Sequence, residues 1–350
     1  MRMREREASL GLVVGAWLAA SAAGQACAQT AEPFYRGKNI DIVIGLTPGG
    51  GYDAYARLIG RFLPRYIPGS PTVTPKNMPG AGSRAAASFV YSVAPKDGTT
   101  LGTADQSLPL QQALGDAGIR FDNNRFAWIG NPDSDNNTVV TWHTSGVKTI
   151  DDAKRVEVAM GSTGVNTSSQ YVQAMNNLVG TKFRIIMGYP GANEINLAME
   201  NGEVGGRGSN SWSSWKATKA GWLREKKINI ILQVGLERNK EIPDTPLLTD
   251  ISRDDLDRAA LGALSAPPTI GRPLFAPPGT PPERVKILRD AFDAVMKDPE
   301  FLAQAAQQNL EINPVSGARL QEIVARMSAL DRTVAERLQQ ILAGLEEPAK

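Results

Sequence analysis

The chemistry this 350-residue sequence can do rests more on backbone donors than on side chains. In "GLTPGGGYDAYARLIGRFL", residues 45–63, Gly49, Gly50 and Gly51 stand between Pro48 and an amphipathic run that begins with Tyr52 and Asp53. Three adjacent glycines are an entropic handicap to folding. If a helix starts there, its first N–H groups have no intrahelical acceptor, and the positive end of its dipole points outward. Such a start binds an anion without lysine or arginine. A tight turn needing φ > 0 would account for one glycine, but three exceed that need. A second stretch, "VEVAMGSTGVNTSSQYVQAMNNLV", repeats the plan. Ser162, Thr163 and Gly164 form its turn, and Asn166, Thr167 and Ser168 lead into the next helical run. Their hydroxyls and amide add side-chain hydrogen bonders. Small polar residues are also ordinary loop composition, so the pair of turns carries more than either alone.

Other chemistries have weaker support. There is no G-x-S-x-G, and Cys27 and His143 are the only cysteine and histidine. A metal site needs clustered His, Cys or carboxylates. "DSDNN", 133–137, lacks the glycine and distant glutamate of an EF-hand and reads as a hinge turn. "GAGSRA", 80–85, superficially matches a dinucleotide fingerprint, with Asp105 after a later strand. Pro75 and Pro79 interrupt its approach. The expectation is a protein with no catalytic residues, no metal and no cofactor.

The elements that must hold these turns alternate along the chain. Strands are expected at 40–46, 73–76, 100–104, 128–130, 139–143, 156–161, 183–187, 228–234 and 274–276. Helices are expected at 53–66, 85–93, 107–114, 168–179, 192–201 and 282–297. Strands separated by helices predict an α/β protein with parallel sheets. "SGARLQEIVARMSALDRTVAERLQQIL" predicts one long amphipathic helix, a brace across the first domain. Polar breaks at 131–137 and 237–246 suggest a discontinuous first domain, 34–131 with 246–350, and an inserted domain, 132–245. Two chain crossings make a hinge, with a cleft between the domains.

The N-terminus carries Arg2, Arg4 and Arg6, an apolar run from Leu10 to Ala23, and Ala26 and Ala28 in an A-x-A arrangement. This reads as a secretory signal peptide, residues 1–28. Cys27 leaves with it, so the exported chain has no disulfide. No other apolar run is long, and the mature chain is expected to be soluble. The net charge of +2 favours neither nucleic acid nor a lipid surface as partner.

Five blocks, in order, resemble the exported solute-binding receptors of tripartite tricarboxylate transporters, also called Bug-type receptors. They are "VIGLTPGGGYDAYARLIGRFL", "NMPGAGSRAAASFVYSVAPKDGTTLGTAD", "GSTGVNTSSQY", "GYPGANEINLAMENGEV" and "LFAPPGTPPERVKILRDAFDAVMKDPEF". The similarity runs from about Ile40 to about Arg326. It implies a two-domain, type II periplasmic binding protein whose cleft closes on a small carboxylate: a di- or tricarboxylate, an acidic amino acid or an aromatic acid. It implies residence in the periplasm, a membrane permease as partner and a monomeric receptor. Carried onto matching positions, it implies ligand contacts from Pro48, Gly49, Gly50, Gly51, Tyr52 and Asp53, from Ser162, Thr163, Gly164, Asn166, Thr167 and Ser168, and from Tyr189. The chain departs from the pattern at Gln170, where many relatives have histidine. It departs again at "GGRGSNSWSSW", 205–215, where relatives place an apolar strand that feeds the cleft. Arg207, Ser209, Asn210 and Trp212 would then set an unusual specificity. Arg207 reads either as an exposed arginine or as a clamp at the cleft rim, hydrated or paired with Glu203 when no ligand is bound. Trp212 and Trp215 read either as packing or as a stacking surface. A receptor for a membrane signalling protein would have the same ligand site, and only its docking face would differ.

Overall fold

A computed structural model describes residues 33–345. The expected signal peptide lies outside the described residues. The strands are β1 (Asn39–Ile44), β2 (Thr72–Asn77), β3 (Thr100–Thr103), β4 (Ala127–Asn131), β5 (Asn137–Trp142), β6 (Val158–Gly161), β7 (Phe183–Ile186), β8 (Gly206–Ser211), β9 (Ile228–Val234), β10 (Leu274–Ala276) and β11 (Val315–Ser316). They form two mixed sheets flanked by helices, an α/β fold with two lobes. The first sheet has the order β11-β4-β10-β3-β1-β2 and the second β7-β6-β8-β5-β9. Both sheets belong to one compact unit that begins at Tyr35.

β1 runs parallel to β2 and β3. Ile40, Ile42 and Ile44 are fully buried and Val43 nearly so, as expected of a strand covered on both faces. β1 delivers the first glycine turn at its C-terminal end, and the Gly51–Phe62 helix follows. It buries Tyr55, Leu58, Ile59 and Phe62. In the second sheet β6 runs parallel to β7 and β8, and delivers the second turn. The Thr167–Val179 helix follows and ends on Gly180, which has left-handed φ, a common helix terminator. Both turns therefore lie at carboxyl ends of parallel strands, where open α/β sheets bind ligands.

Three expectations need correction. The sheets are not wholly parallel, since β10 runs antiparallel to β3 and β4, and β5 antiparallel to β8 and β9. "GRGSNS" has poor strand propensity, yet it forms β8, between β6 and β5. Pairing on both sides overrides the local preference. The C-terminal stretch is two helices, Gly317–Ser328 and Arg332–Ile341. The break falls where Asp331 accepts from the Thr333 and Val334 N–H groups and so caps a new helix. The first of the two packs on β4. The second packs on the Asp255–Leu264 helix and on the Thr167–Val179 helix of the second lobe. Arg337 pairs there with fully buried Asp257, at 2.6 Å. Gln173 and Asn177 donate to the Ala343 and Ile341 carbonyls. The C-terminal helices thus cross from one lobe to the other instead of bracing the first alone.

Candidate functional site

The first turn is held from below. Asp53 is buried and accepts from the Gly49 N–H at 2.8 Å, from Arg57 Nε at 2.8 Å and from Asn77 Nδ2 at 2.9 Å. Burial opposes its charge, but the bonds from Arg57, Gly49 and Asn77 outweigh it and hold the carboxyl below its ordinary value. Asp53 is therefore committed to shaping the loop. Gly50 is the N-cap of the Gly51–Phe62 helix and makes no side-chain cap. The first N–H groups of this helix are left for whatever enters the cleft.

The second turn differs. Asn166 caps its helix by accepting from the Ser168 N–H at 3.0 Å, and Asn166 Nδ2 donates to Thr163 Oγ1 at 2.7 Å. The Ser168 hydroxyl donates to Asn166 and accepts from the Thr163 N–H. Ser162 Oγ lies 2.7 Å from Ser168 Oγ. The two turns look alike in sequence, but the second satisfies most of its own donors and the first does not.

β8 brings Arg207 level with Gly161, the residue just before the second turn, and with Val140 of β5. Arg207 is only 5% exposed. Its Nη1 donates to Asn196 Oδ1 at 3.0 Å and approaches the Ala192 carbonyl at 3.5 Å. Its guanidinium carbon lies 5.3 Å from the Trp215 ring centre. Nε has no hydrogen-bond partner, and no carboxylate among the described residues pairs with it. Burial lowers its pKa to about 10, so it stays charged at neutral pH. Neither expected position, exposed or at the cleft rim, holds, because β8 lies inside the sheet and buries Arg207, and its Nη1 bonds to Asn196 and not to Glu203. Trp215 is fully buried, packed near Trp222. Trp212 turns outward to Glu241. Neither lines the cleft.

Sequence reasoning missed Arg272. Its Nη1 donates to Asp133 at 2.8 Å and its Nη2 to the Ser211 hydroxyl, and its guanidinium lies over the Tyr55 ring. Asp133 comes from the polar break read as a hinge turn, and it is buried. Only the position of Arg272, between Gly271 and Pro273 ahead of β10, could have drawn notice. Asp105 was also missed as a lining residue. It is buried beside Ser107 and Thr167, and burial raises its carboxyl above its ordinary value.

Both turns, Arg207 and Arg272 enclose a cavity of ≈ 70 Å³. Of the expected residues, Gly50, Gly51, Tyr52, Asp53, Thr163, Asn166, Thr167, Ser168, Arg207 and Ser209 line it, as does Asn210. The Tyr52 hydroxyl donates to the Gly271 carbonyl and accepts from the Gln106 N–H. Ser162 lies behind the turn, fully buried. Gly164 and Tyr189 line a neighbouring chamber of ≈ 210 Å³, which shares Leu46 and Thr163 with the cavity. Pro48 and Gly49 meet the other lobe, where Asn193 Nδ2 donates to the Pro48 carbonyl at 3.0 Å. A Cβ on Gly49, whose φ is +84°, would lie 2.5 Å from that amide. One on Gly51 would lie 3.0 Å from Ser214 Oγ. What approaches the glycines, then, is Asn193, Ala192 and Ser214 of the second lobe, with Arg272 of the first beside Gly51.

Residues 68–339 match the family described as the tripartite tricarboxylate transporter family receptor. A Cupriavidus necator protein described as the UPF0065 protein in the gbd 5′ region is 25% identical over 85% of this chain and 87% of its own length. The solved periplasmic binding protein BugD superposes with a TM-score of 0.68 at 18% identity, covering 89% of this chain and 99% of its own. R. palustris Rpa4515, solved with adipate, gives a TM-score of 0.67 at 17% identity, covering 87% and 97%. At these identities the two structures speak for the fold. Among the described residues no helix is long and apolar enough to cross a membrane.

Proposed function

The chain belongs to the tripartite tricarboxylate transporter receptor family, and from that premise we propose that it is a periplasmic receptor that captures a small carboxylate between its lobes and presents the closed form to a membrane permease. The observation that carries this reading is the pairing of an uncapped helix start at Gly50 and Gly51 with an acid-free, buried Arg207 on one cavity. Helix-start donors favour an anion. A buried guanidinium with no counter-ion is costly until an anion joins it. Rpa4515, solved with adipate, gives the carboxylate class a precedent.

The moving bodies in this reading are residues 34–131 with 246–350 and residues 132–245, with the last helix resting on both. A carboxylate held by both lobes binds the closed form better than the open one, and only that difference drives closure. The cavity lining otherwise consists of committed groups, and the role assigned to it is capture, not catalysis. The signal-like N-terminus supports export, and the monomer is the proposed unit. Native mass spectrometry of the purified protein, with a thermal-shift screen against mono-, di- and tricarboxylates, tests the reading. A retained acid, or a melting temperature raised by one, is the expected result. No response to any carboxylate would overturn it.

A further inference from the structure

The cavity and the chamber beside it differ in chemistry. The carboxylate and guanidinium side chains lining the cavity are Asp53, Asp105, Asp135, Arg207 and Arg272. Asp53 pairs with Arg57, and Arg272 with Asp133. Asp135 is held by the Ser213 N–H and by Asn239, and Asp105 by Ser107 and Thr167. One cation, Arg207, is left without an acid, and it faces a lining with more carboxylates than guanidiniums. At ≈ 70 Å³ the cavity is also smaller than the ~150 Å³ space that takes a benzene ring. The chamber of ≈ 210 Å³ has no charged residue in its lining. Pro79, Met187, Tyr189 and Pro190 supply apolar surface there, and Leu46 and Thr163 face both spaces.

We infer that the ligand is an acid with a single carboxylate and an uncharged chain or ring, its carboxylate seated on Arg207 and the Gly50–Gly51 helix start and its tail passing Leu46 and Thr163 into the Tyr189 chamber. This rests on the receptor reading and narrows its ligand class. One unpaired guanidinium answers one carboxylate. A second carboxylate would meet Asp105 and Asp135 in the cavity, or a chamber with no cation to receive it. The apolar lining instead rewards a desolvated tail.

Calorimetry with acetate, hexanoate, phenylacetate and adipate tests this on the wild-type protein. Hexanoate and phenylacetate should each bind at least tenfold more tightly than acetate and than adipate, which has hexanoate's length with a second charge. Arg207→Gln should weaken hexanoate at least tenfold, in protein whose unliganded melting curve remains cooperative. If that variant fails to fold, the wild-type ratios decide alone. Adipate binding as tightly as hexanoate would overturn the single-charge inference, and acetate matching hexanoate would overturn the chamber's role. If all four fail while malate or citrate binds, the inference falls and the receptor reading stands. If no carboxylate of any kind binds, both fall.

Discussion

Thr47 Oγ1 donates to Glu194 Oε2 at 2.9 Å, from the first lobe to the second. The bond joins residues 147 positions apart and depends on closure, since its two ends belong to different lobes. The expected effect is that of a latch, favouring the closed form from the cavity wall, which Thr47 itself lines.

Thr47→Val keeps the side chain's shape and removes the latch donor. A bond to a carboxylate contributes about 1.5–3 kcal/mol, so affinity should fall about tenfold or more. The unliganded melting temperature should stay nearly constant. Calorimetry together with small-angle scattering checks this. A variant that binds as tightly as wild type, with the same radius of gyration in the liganded state, would show the latch to be idle.

Gly50 separates two effects that its neighbours blur. A Cβ there would lie 3.5 Å from the Ala192 Cβ, an ordinary contact, so Gly50→Ala should be tolerated. Gly50→Val carries branches further toward the second lobe and props the cleft open. Each charge-assisted bond the carboxylate then loses costs about 1.5–3 kcal/mol, tenfold or more in affinity. Equal affinities for Gly50→Val and wild type would refute the role of this turn.

Asp53 gives a pH signature. Its folded-state carboxyl titrates below the ordinary value of 3.8, so its ionisation stabilises the fold above about pH 4 and that contribution is lost as pH falls through the lower folded value. Asp53→Asn should lower stability by about 1–3 kcal/mol at pH 7, because the charge is lost and one acceptor oxygen becomes an NH2 donor that cannot serve Gly49, Arg57 and Asn77. The gap between wild type and variant should narrow on acidification from pH 5 to pH 3. Melting curves showing a constant gap over that range would rule out the linkage.

The sequence made the frame legible because strand runs such as Ile40–Ile44 and helices such as Thr167–Val179 are patterned by burial. It placed both turns for the same reason, since a glycine run or a Ser-Thr-Gly run between a strand and a helix is a local signal. It could not show that Asn166 and Ser168 consume the second turn's donors, because that depends on rotamers and distances. β8 was obscured, since Gly206, Gly208 and Ser209 have no strand preference and are held by β5 and β6, which are distant in sequence. Arg207 therefore looked like a surface residue. Arg272 gave no signal beyond its Gly-Arg-Pro setting, because its partners Asp133 and Ser211 come from segments more than 60 residues away.

Asp133 and Arg272 make the sharpest test of how the two lobes are joined. They bond at 2.8 Å with side chains 1% and 6% exposed. Asp133 lies where the chain first crosses between sheets, and it also accepts from the Ser213 hydroxyl of the second lobe at 2.9 Å. Arg272 lies just before β10 of the first sheet. Burial raises the Asp133 carboxyl above its ordinary value, although the Arg272 charge opposes that shift. A buried pair is a poor source of stability, but breaking it leaves a desolvated charge behind. Asp133→Asn should therefore cost about 3–5 kcal/mol, a large share of a typical fold's stability. Arg272→Met in the same chain removes the stranded guanidinium, and the double variant should recover much of the loss. Both would keep a cooperative urea transition, read by tryptophan fluorescence. If the double variant is as unstable as the sum of the single variants, the two residues act independently and the crossing is held by something else. If it recovers stability yet closes poorly on a carboxylate, the pair's contribution is geometric: it fixes the angle at which the second lobe meets Gly50 and Gly51.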